Sequence, residues 1–184
     1  MLDQIMDLIR KNAGSAVTNN PSIPNEKNET AIQEGGNSIM ETLKDALAGG
    51  RLNDVLGYFK GGSSDSRIVD EATHNYSRQL QNNIGLDSKD ANDVASQVIP
   101  NAMSQLASKT NDPSDKSFNI QDIFNQLSGG KTGGLDIQNL LSKFGAGNLD
   151  ADKDGDVDFK DLQAMFTGGG ASGFLNTAKG LFNK

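Results

Sequence analysis

Acidic residues recur at alternate positions near the C-terminus. Residues 150–161 read DADKDGDVDFKD, with Gly155 at the sixth position. Calcium takes six to eight oxygen ligands, so alternate side chains of a tightly turned loop must converge on one point, and glycine permits the sharp turn. The pattern predicts a site for one divalent cation. Its expected ligands are Asp150, Asp152, Asp154, Asp156, Asp158 and Asp161.

The spacing also suggests how individual residues act. Asp156, at the seventh position, is placed to ligate through its backbone carbonyl, and Asp158, at the ninth, through water. Asp161 ends the loop where a longer Glu would ligate with both oxygens, so we expect lower affinity and keep Mg²⁺ as an alternative to Ca²⁺. The competing interpretation, a solvated acidic turn, needs neither Gly155 nor an apolar Val157 and leaves six carboxylates to repel one another.

The loop belongs to a segment that is partly repeated. A shift of 22 residues pairs Gly133, Leu135, Asp136, Asn139, Leu140 and Phe144 with Gly155, Val157, Asp158, Asp161, Leu162 and Phe166. With its aspartate-terminated EF-hand-type loop and the interruption at residues 145–147, the segment from about 128 to 166 resembles a dockerin-type repeat. The first copy has lost the carboxylates of its first three ligand positions, which are occupied by Ser128, Gly130 and Thr132, and it has Asn139 at the twelfth. We therefore expect one metal ion, with the first copy as a packing partner of the second.

Composition limits the remaining possibilities. The 184-residue, 19.5 kDa chain has a net charge of -7, and the six acids and two lysines of the loop account for -4 of it. This acidity, without clustered Lys or Arg, argues against a nucleic-acid partner. The chain has no Cys and one His, which excludes thiolate chemistry and His-rich metal sites. We expect no membrane partner and, since the N-terminus does not resemble a signal peptide, a cytoplasmic location, with leaderless export as the alternative.

The elements that must position the loop are helices. Apolar residues at helical spacing predict five of them, over 2–18, 26–47, 52–60, 68–84 and 89–109, and no segment alternates as a strand would. Short helical segments separated by glycines follow, at 120–127, at 137–144 and, after the turn of the loop, at 159–166, with a last small one in the tail at 174–182. We therefore predict an all-α protein, with a multihelical domain over 1–112 and a small dockerin-like or EF-hand-like module over 113–184 that holds the calcium loop at 150–161.

The first 112 residues resemble the bacterial YidB-like family. The resemblance is carried by the opening helix, by LNDVLGYFKGG at 52–62, and by the stretch from Leu80 through GLDSK at 85–89 to Pro100. It implies a multihelical fold without an established activity, and it brings no catalytic residues.

Three further patterns were compared with their simpler explanations. GKT at 130–132 resembles the end of a phosphate-binding loop, but it follows a predicted helix rather than a strand. His74 lies off the apolar face of its helix, without a nearby nucleophile. The fourth and fifth helices have a helix-turn-helix outline, but the second begins with Asp90 and Asp93, which would face phosphates. An ordinary loop between helices explains GKT better, solvent exposure explains His74, and simple helix packing explains the helix-turn-helix outline.

Together these observations predict a non-catalytic, calcium-binding protein with a structural or interaction role. Its expected partner is a protein, either a second copy of this chain or another chain. Two alternatives remain open at this level. One is a protein that self-assembles when calcium binds, and the other is a calcium sensor that exposes an apolar surface.

Overall fold

The fold is all-helical wherever the structure describes it. A computed structural model describes residues 2–61, 67–115, 117–130 and 136–143, and within these ranges it contains α-helices and no β-strand. Over these ranges the prediction of an all-α protein is confirmed. No helix in these ranges is long and apolar enough to cross a membrane. The helices are α1 (Leu2–Asn12), α2 (Asn28–Ala48), α3 (Leu52–Gly61), α4 (Arg67–Gln79), α5 (Ser88–Asn111), α6 (Ile120–Leu127) and α7 (Ile137–Lys143).

The first helix is shorter than predicted. The α-helix ends at Asn12, and a π-helical turn over Gly14–Thr18 follows. The Asn12 side chain donates a 2.7 Å hydrogen bond to the Leu8 carbonyl, which is the acceptor a continuing helix would use for the Asn12 N–H. Such local side-chain bonds compete with the helical ladder. The apolar face nevertheless continues through the turn, because Ala16 and Val17 are buried.

Gly35 and Gly36 lie within an unbroken α2, where they allow α1 to approach closely. A Cβ atom added to Gly36 would lie 2.9 Å from Met6 Cγ, and one added to Gly35 would lie 3.0 Å from Ile9 Cγ2. Both distances are shorter than an ordinary van der Waals contact. The two glycines, which lower helix propensity, therefore serve the packing of α1 against α2.

The turn between α4 and α5 has caps of the residue types that usually end and begin helices. A π-helical turn over Leu80–Ile84 ends α4, and Gly85 adopts a left-handed φ of 89°. Asp87 then caps α5 by accepting a 2.8 Å hydrogen bond from the Asp90 N–H. α5 runs through Pro100 to Asn111.

Polar side chains set the register between α2 and α4. Residues spaced four apart on α2 bond residues spaced four apart on the segment from α4 into its π turn, in antiparallel order. The pairs are Asn83–Glu34 at 2.7 Å, Ser38–Gln79 at 2.9 Å and Asn75–Thr42 at 2.9 Å. Sliding one helix along the other by a turn would break all three bonds. Beside them, the Tyr76 hydroxyl is buried without a hydrogen-bond partner, and burial raises its pKa.

The short helices after residue 112 extend the same core. Four apolar residues of α6 are buried in the hydrophobic cluster formed by α1 to α5. The ring of Phe124 lies 5.9 Å from that of Phe59 in α3, centroid to centroid. α6 is therefore fixed to the core of the preceding helices by apolar packing. The four residues are Ile120, Ile123, Phe124 and Leu127.

Candidate functional site

The predicted cation loop lies outside the described residues. All of 150–161 falls there, so the structure does not test whether the six aspartates converge. The same holds for the predicted helix over 159–166 and for the tail. Within the four described ranges, no group of three or more His, Asp or Glu side chains is arranged to hold a metal ion.

The start of α7 falls where the repeat predicts a helix. In the 22-residue alignment, Asp136 corresponds to Asp158 and Asn139 to Asp161. Asp136 caps α7, because its Oδ1 accepts a 2.9 Å hydrogen bond from the Asn139 N–H. In the first copy, the Asp136 carboxylate at the ninth loop position therefore accepts a hydrogen bond from the backbone N–H of Asn139 at the twelfth.

The beginning of the first copy forms a helix C-terminus. Gly129 and Gly130 have φ values of 65° and 89°, and the Gly130 N–H donates to the Asn125 carbonyl at 2.7 Å. The Ser128 hydroxyl donates to the same carbonyl at 3.2 Å. Left-handed glycines that satisfy the last carbonyls of a helix are typical of a C-cap. Two of the positions aligned with metal ligands, Ser128 and Gly130, thus terminate α6.

A side chain of α6 reaches the N-terminus of α7. Gln121 Oε1 accepts a 3.0 Å hydrogen bond from the Ile137 N–H. The Ile137 side chain is completely buried, and Leu141, one turn further along, packs half-buried against the same core. This hydrogen bond and the buried Ile137 side chain join α6 to α7. The predicted packing of the first copy against the second stays a prediction, because the second copy lies outside the described residues. Gln121 itself gave no signal in the sequence, because its role depends on a residue 16 positions away.

A cleft of about 780 Å³ lies where α5 ends beside α6 and α7. Phe118 and Leu141 contribute apolar surface, and Asp112, Asp115 and Asp122 give the lining its negative charge. The hydroxyl of Thr110, which also lines the cleft, donates a 2.7 Å hydrogen bond to the Leu106 carbonyl. The described lining residues offer no nucleophile paired with a base.

Two of these carboxylates stabilise the chain turn between α5 and α6. Lys109 Nζ lies 2.7 Å from Asp115 Oδ2, and Ser117 donates to the other oxygen through its N–H and hydroxyl. The lysine and then the serine lower the pKa of Asp115 to about 2. Hydrogen bonds from Ser114 likewise lower the pKa of Asp112. Asp112 and Asp115, two of the carboxylates in the cleft, are thus explained by the turn between α5 and α6 that they stabilise.

The weaker sequence patterns keep their simpler explanations. His74 is exposed. GKT at 130–132 follows α6, a helix, as predicted, and its Lys131 and Thr132 lie outside the described residues. At the start of α5, Lys89 pairs with Asp93 at 2.8 Å, and Asp90 accepts a 2.6 Å hydrogen bond from Ser22. The first turn of that helix therefore carries carboxylates, as its sequence indicates.

Comparison of the chain with protein-family models, with curated proteins and with solved structures gives no match. The resemblances to YidB-like proteins and to dockerin-type repeats therefore stay predictions based on the residues quoted above.

Proposed function

We propose that this protein binds calcium without catalytic activity, and that one cation orders its C-terminal loop for a structural or interaction role. Asp150, Asp152 and Asp154 supply side-chain oxygens, Asp156 supplies its carbonyl, and Asp158 acts through water. Asp161 completes the set from the following segment. Mg²⁺ is the alternative ion, because a short carboxylate at the twelfth position weakens the preference for a larger shell.

The observation that carries this proposal is the spacing of six aspartates around Gly155. Six carboxylates within twelve residues repel one another unless a cation neutralises them, and a bound divalent ion changes the charge of the loop from -4 to -2. Metal binding then contributes to folding directly, because the ligands converge only when the loop is ordered.

The described helices support the proposal indirectly. α7 begins at the position that the repeat aligns with the start of the helix after the loop, which supports the 22-residue alignment. We infer that Asp158 accepts a hydrogen bond from the Asp161 N–H, as Asp136 does from Asn139. That bond would orient Asp161 toward the ion while leaving the second oxygen of Asp158 for a bridging water.

A structural role is favoured over a sensor by the surface of the helical core. Among the side chains whose burial the structure describes, no Ile, Leu, Val, Met, Phe or Tyr is exposed. A sensor would have to create its apolar surface by opening this core or from residues outside the described ranges. Dye binding and light scattering during a calcium titration separate the three possibilities, since only a sensor gains dye and only a self-assembling protein grows in size.

The deciding experiment is calorimetric titration of Ca²⁺ and Mg²⁺ into chelator-treated full-length protein. We expect one site in the natural chain, loss of binding in Asp150→Ala and tighter binding in Asp161→Glu, whose longer side chain can ligate with both oxygens. Asp70→Asn is the matched control, because it removes one negative charge from the exposed surface of α4. Absence of binding to the natural chain would refute the proposal.

A further inference from the structure

A buried hydroxyl joins the end of α3 to the second half of α5. Tyr58 is 1% exposed, and its hydroxyl donates a 2.5 Å hydrogen bond to the Met103 carbonyl. Burial raises the pKa of Tyr58, and a hydrogen bond from the Ala107 backbone N–H to the same hydroxyl opposes this rise. Residues 103 and 107 are spaced as the partners of one helical hydrogen bond. The hydroxyl therefore joins α3 to the backbone of α5 at that bond.

A second link lies one turn further along α5. The Asn111 side-chain amide donates both of its hydrogens, one to the Phe59 carbonyl at 2.5 Å and one to the Ala107 carbonyl at 2.9 Å. The Phe59 carbonyl is among the last four of α3, which have no acceptor role within the helix. Asn111, the last residue of α5, therefore supplies a donor that the end of α3 requires.

α6 packs on a residue that these two links hold in place. The Phe59 ring lies 4.8 Å from the Tyr58 ring and 5.9 Å from the Phe124 ring of α6, centroid to centroid. Phe59 and Phe124 are both 0% exposed. The turn that leads to α6 begins directly after Asn111. The attachment of α6 therefore depends on how the ends of α3 and α5 are held together.

We propose that α6 opens together with the ends of α3 (58–61) and α5 (107–111), and that the hydrogen bonds of Tyr58 and Asn111 form the latch that keeps this unit closed. The inference does not depend on the cation loop. Parts of a fold open locally at a lower free energy than global unfolding. Separating α6 from α3 would expose the two phenylalanine rings that now cover each other. Opening would thus give this region an apolar interaction surface that its closed form lacks.

Two matched pairs of variants of the full-length chain test the latch. Tyr58→Phe removes a bonded hydroxyl, whereas its control, Tyr76→Phe, removes a buried hydroxyl that has no hydrogen-bond partner. Asn111→Ala removes the bond to α3 together with a bond inside α5. Its control, Asn101→Ala, removes an equally exposed asparagine of α5 whose amide bonds the Gln97 carbonyl of the same helix.

Hydrogen exchange of the Phe124 and Leu127 amides in α6 is the readout. If the latch breaks when α6 opens, each lost link raises their exchange rate about three- to tenfold, the effect of one hydrogen bond. Tyr58→Phe and Asn111→Ala should therefore exchange faster than their controls. If α6 instead leaves while α3 and α5 stay joined, the links persist in the open state and all four variants exchange like the natural chain. That result would overturn the proposal.

A second measurement needs only the natural chain and avoids any question of folding in the variants. Exchange of the Ala107 amide, which lies at the latch, should have the same opening free energy and urea dependence as the α6 amides, because the proposal places them in one unit. The Val98 amide, further back in α5, should be protected more strongly. An Ala107 amide that opens with Val98 rather than with α6 would contradict the proposal.

Discussion

α2 and α5 contain 21 and 24 residues, whereas α6 and α7 contain 8 and 7. The long helices pack against several neighbours at once, and polar pairs also fix the register of α2 against α4. The short helices instead depend on one buried face and on a few capping bonds. Helices of that length gain almost all of their stability from tertiary packing, so we expect the second region to open locally before the first unfolds.

The largest expected effects come from truncating two isoleucines of similar burial, one in each region. Ile39 in α2 is 0% exposed and Ile123 in α6 is 2% exposed. Ile39→Ala should lower the free energy of unfolding by about 2–5 kcal/mol, because it leaves a cavity in the main core. Ile123→Ala should mainly detach α6, with a smaller change in the global transition.

Urea denaturation monitored by circular dichroism gives the global effect, and hydrogen exchange of α6 amides gives the local one. Equal losses of global stability in the two variants would show that both regions unfold as one cooperative unit. That result would contradict the expectation that the short helices open before the long ones unfold.

A smaller effect is expected where α1 and α2 meet. Gly36→Val introduces a branched side chain at a position where even a Cβ would lie 2.9 Å from Met6 Cγ. We expect a loss of about 1–3 kcal/mol, as is usual when a packed core is overfilled. The measurement is again denaturation of the full chain.

Gly14→Ala is the control for the Gly36 variant. A Cβ at Gly14 meets nothing within 4 Å, and the backbone there does not have the left-handed φ that favours glycine. We expect a change below about 1 kcal/mol. A loss as large as that of Gly36→Val would contradict crowding against Met6 as the cause of the Gly36→Val effect.

The smallest effect concerns the turn that joins the two regions. The folded state lowers the pKa of Asp115 from its ordinary value of 3.8 to about 2, mainly through Lys109. A carboxyl with a lowered pKa stabilises the fold above its unfolded pKa, and this contribution disappears as the pH falls from near 4 to near 2.

Asp115→Asn should therefore be slightly less stable than the natural chain at neutral pH and equally stable near pH 2. Thermal melting of both proteins across this range measures the difference, and Asp70→Asn controls for the change in net charge. A difference that persists unchanged at pH 2 would mean that the ion pair is not its source.

Local features of the fold followed from local sequence. Gly85 and Asp87 end one helix and begin the next as their residue types predict, because capping depends on a few neighbouring atoms. The shortening of α1 and the use of Gly35 and Gly36 were not predictable in this way. The π turn that follows Asn12 forms where Ala16 and Val17 are buried in the core, and the glycines matter only because α1 lies across them.

The sequence by itself determined the helical character of the chain and the acidic pattern at 150–161 on which the calcium proposal depends. Both are periodic, and periodicity reports on which side chains can share one face or converge on one ion. Only the tertiary structure decided that α6 packs into the core of the preceding helices and that Gln121 caps α7. Those contacts join residues far apart in the chain, and their energies exist only after the core has formed.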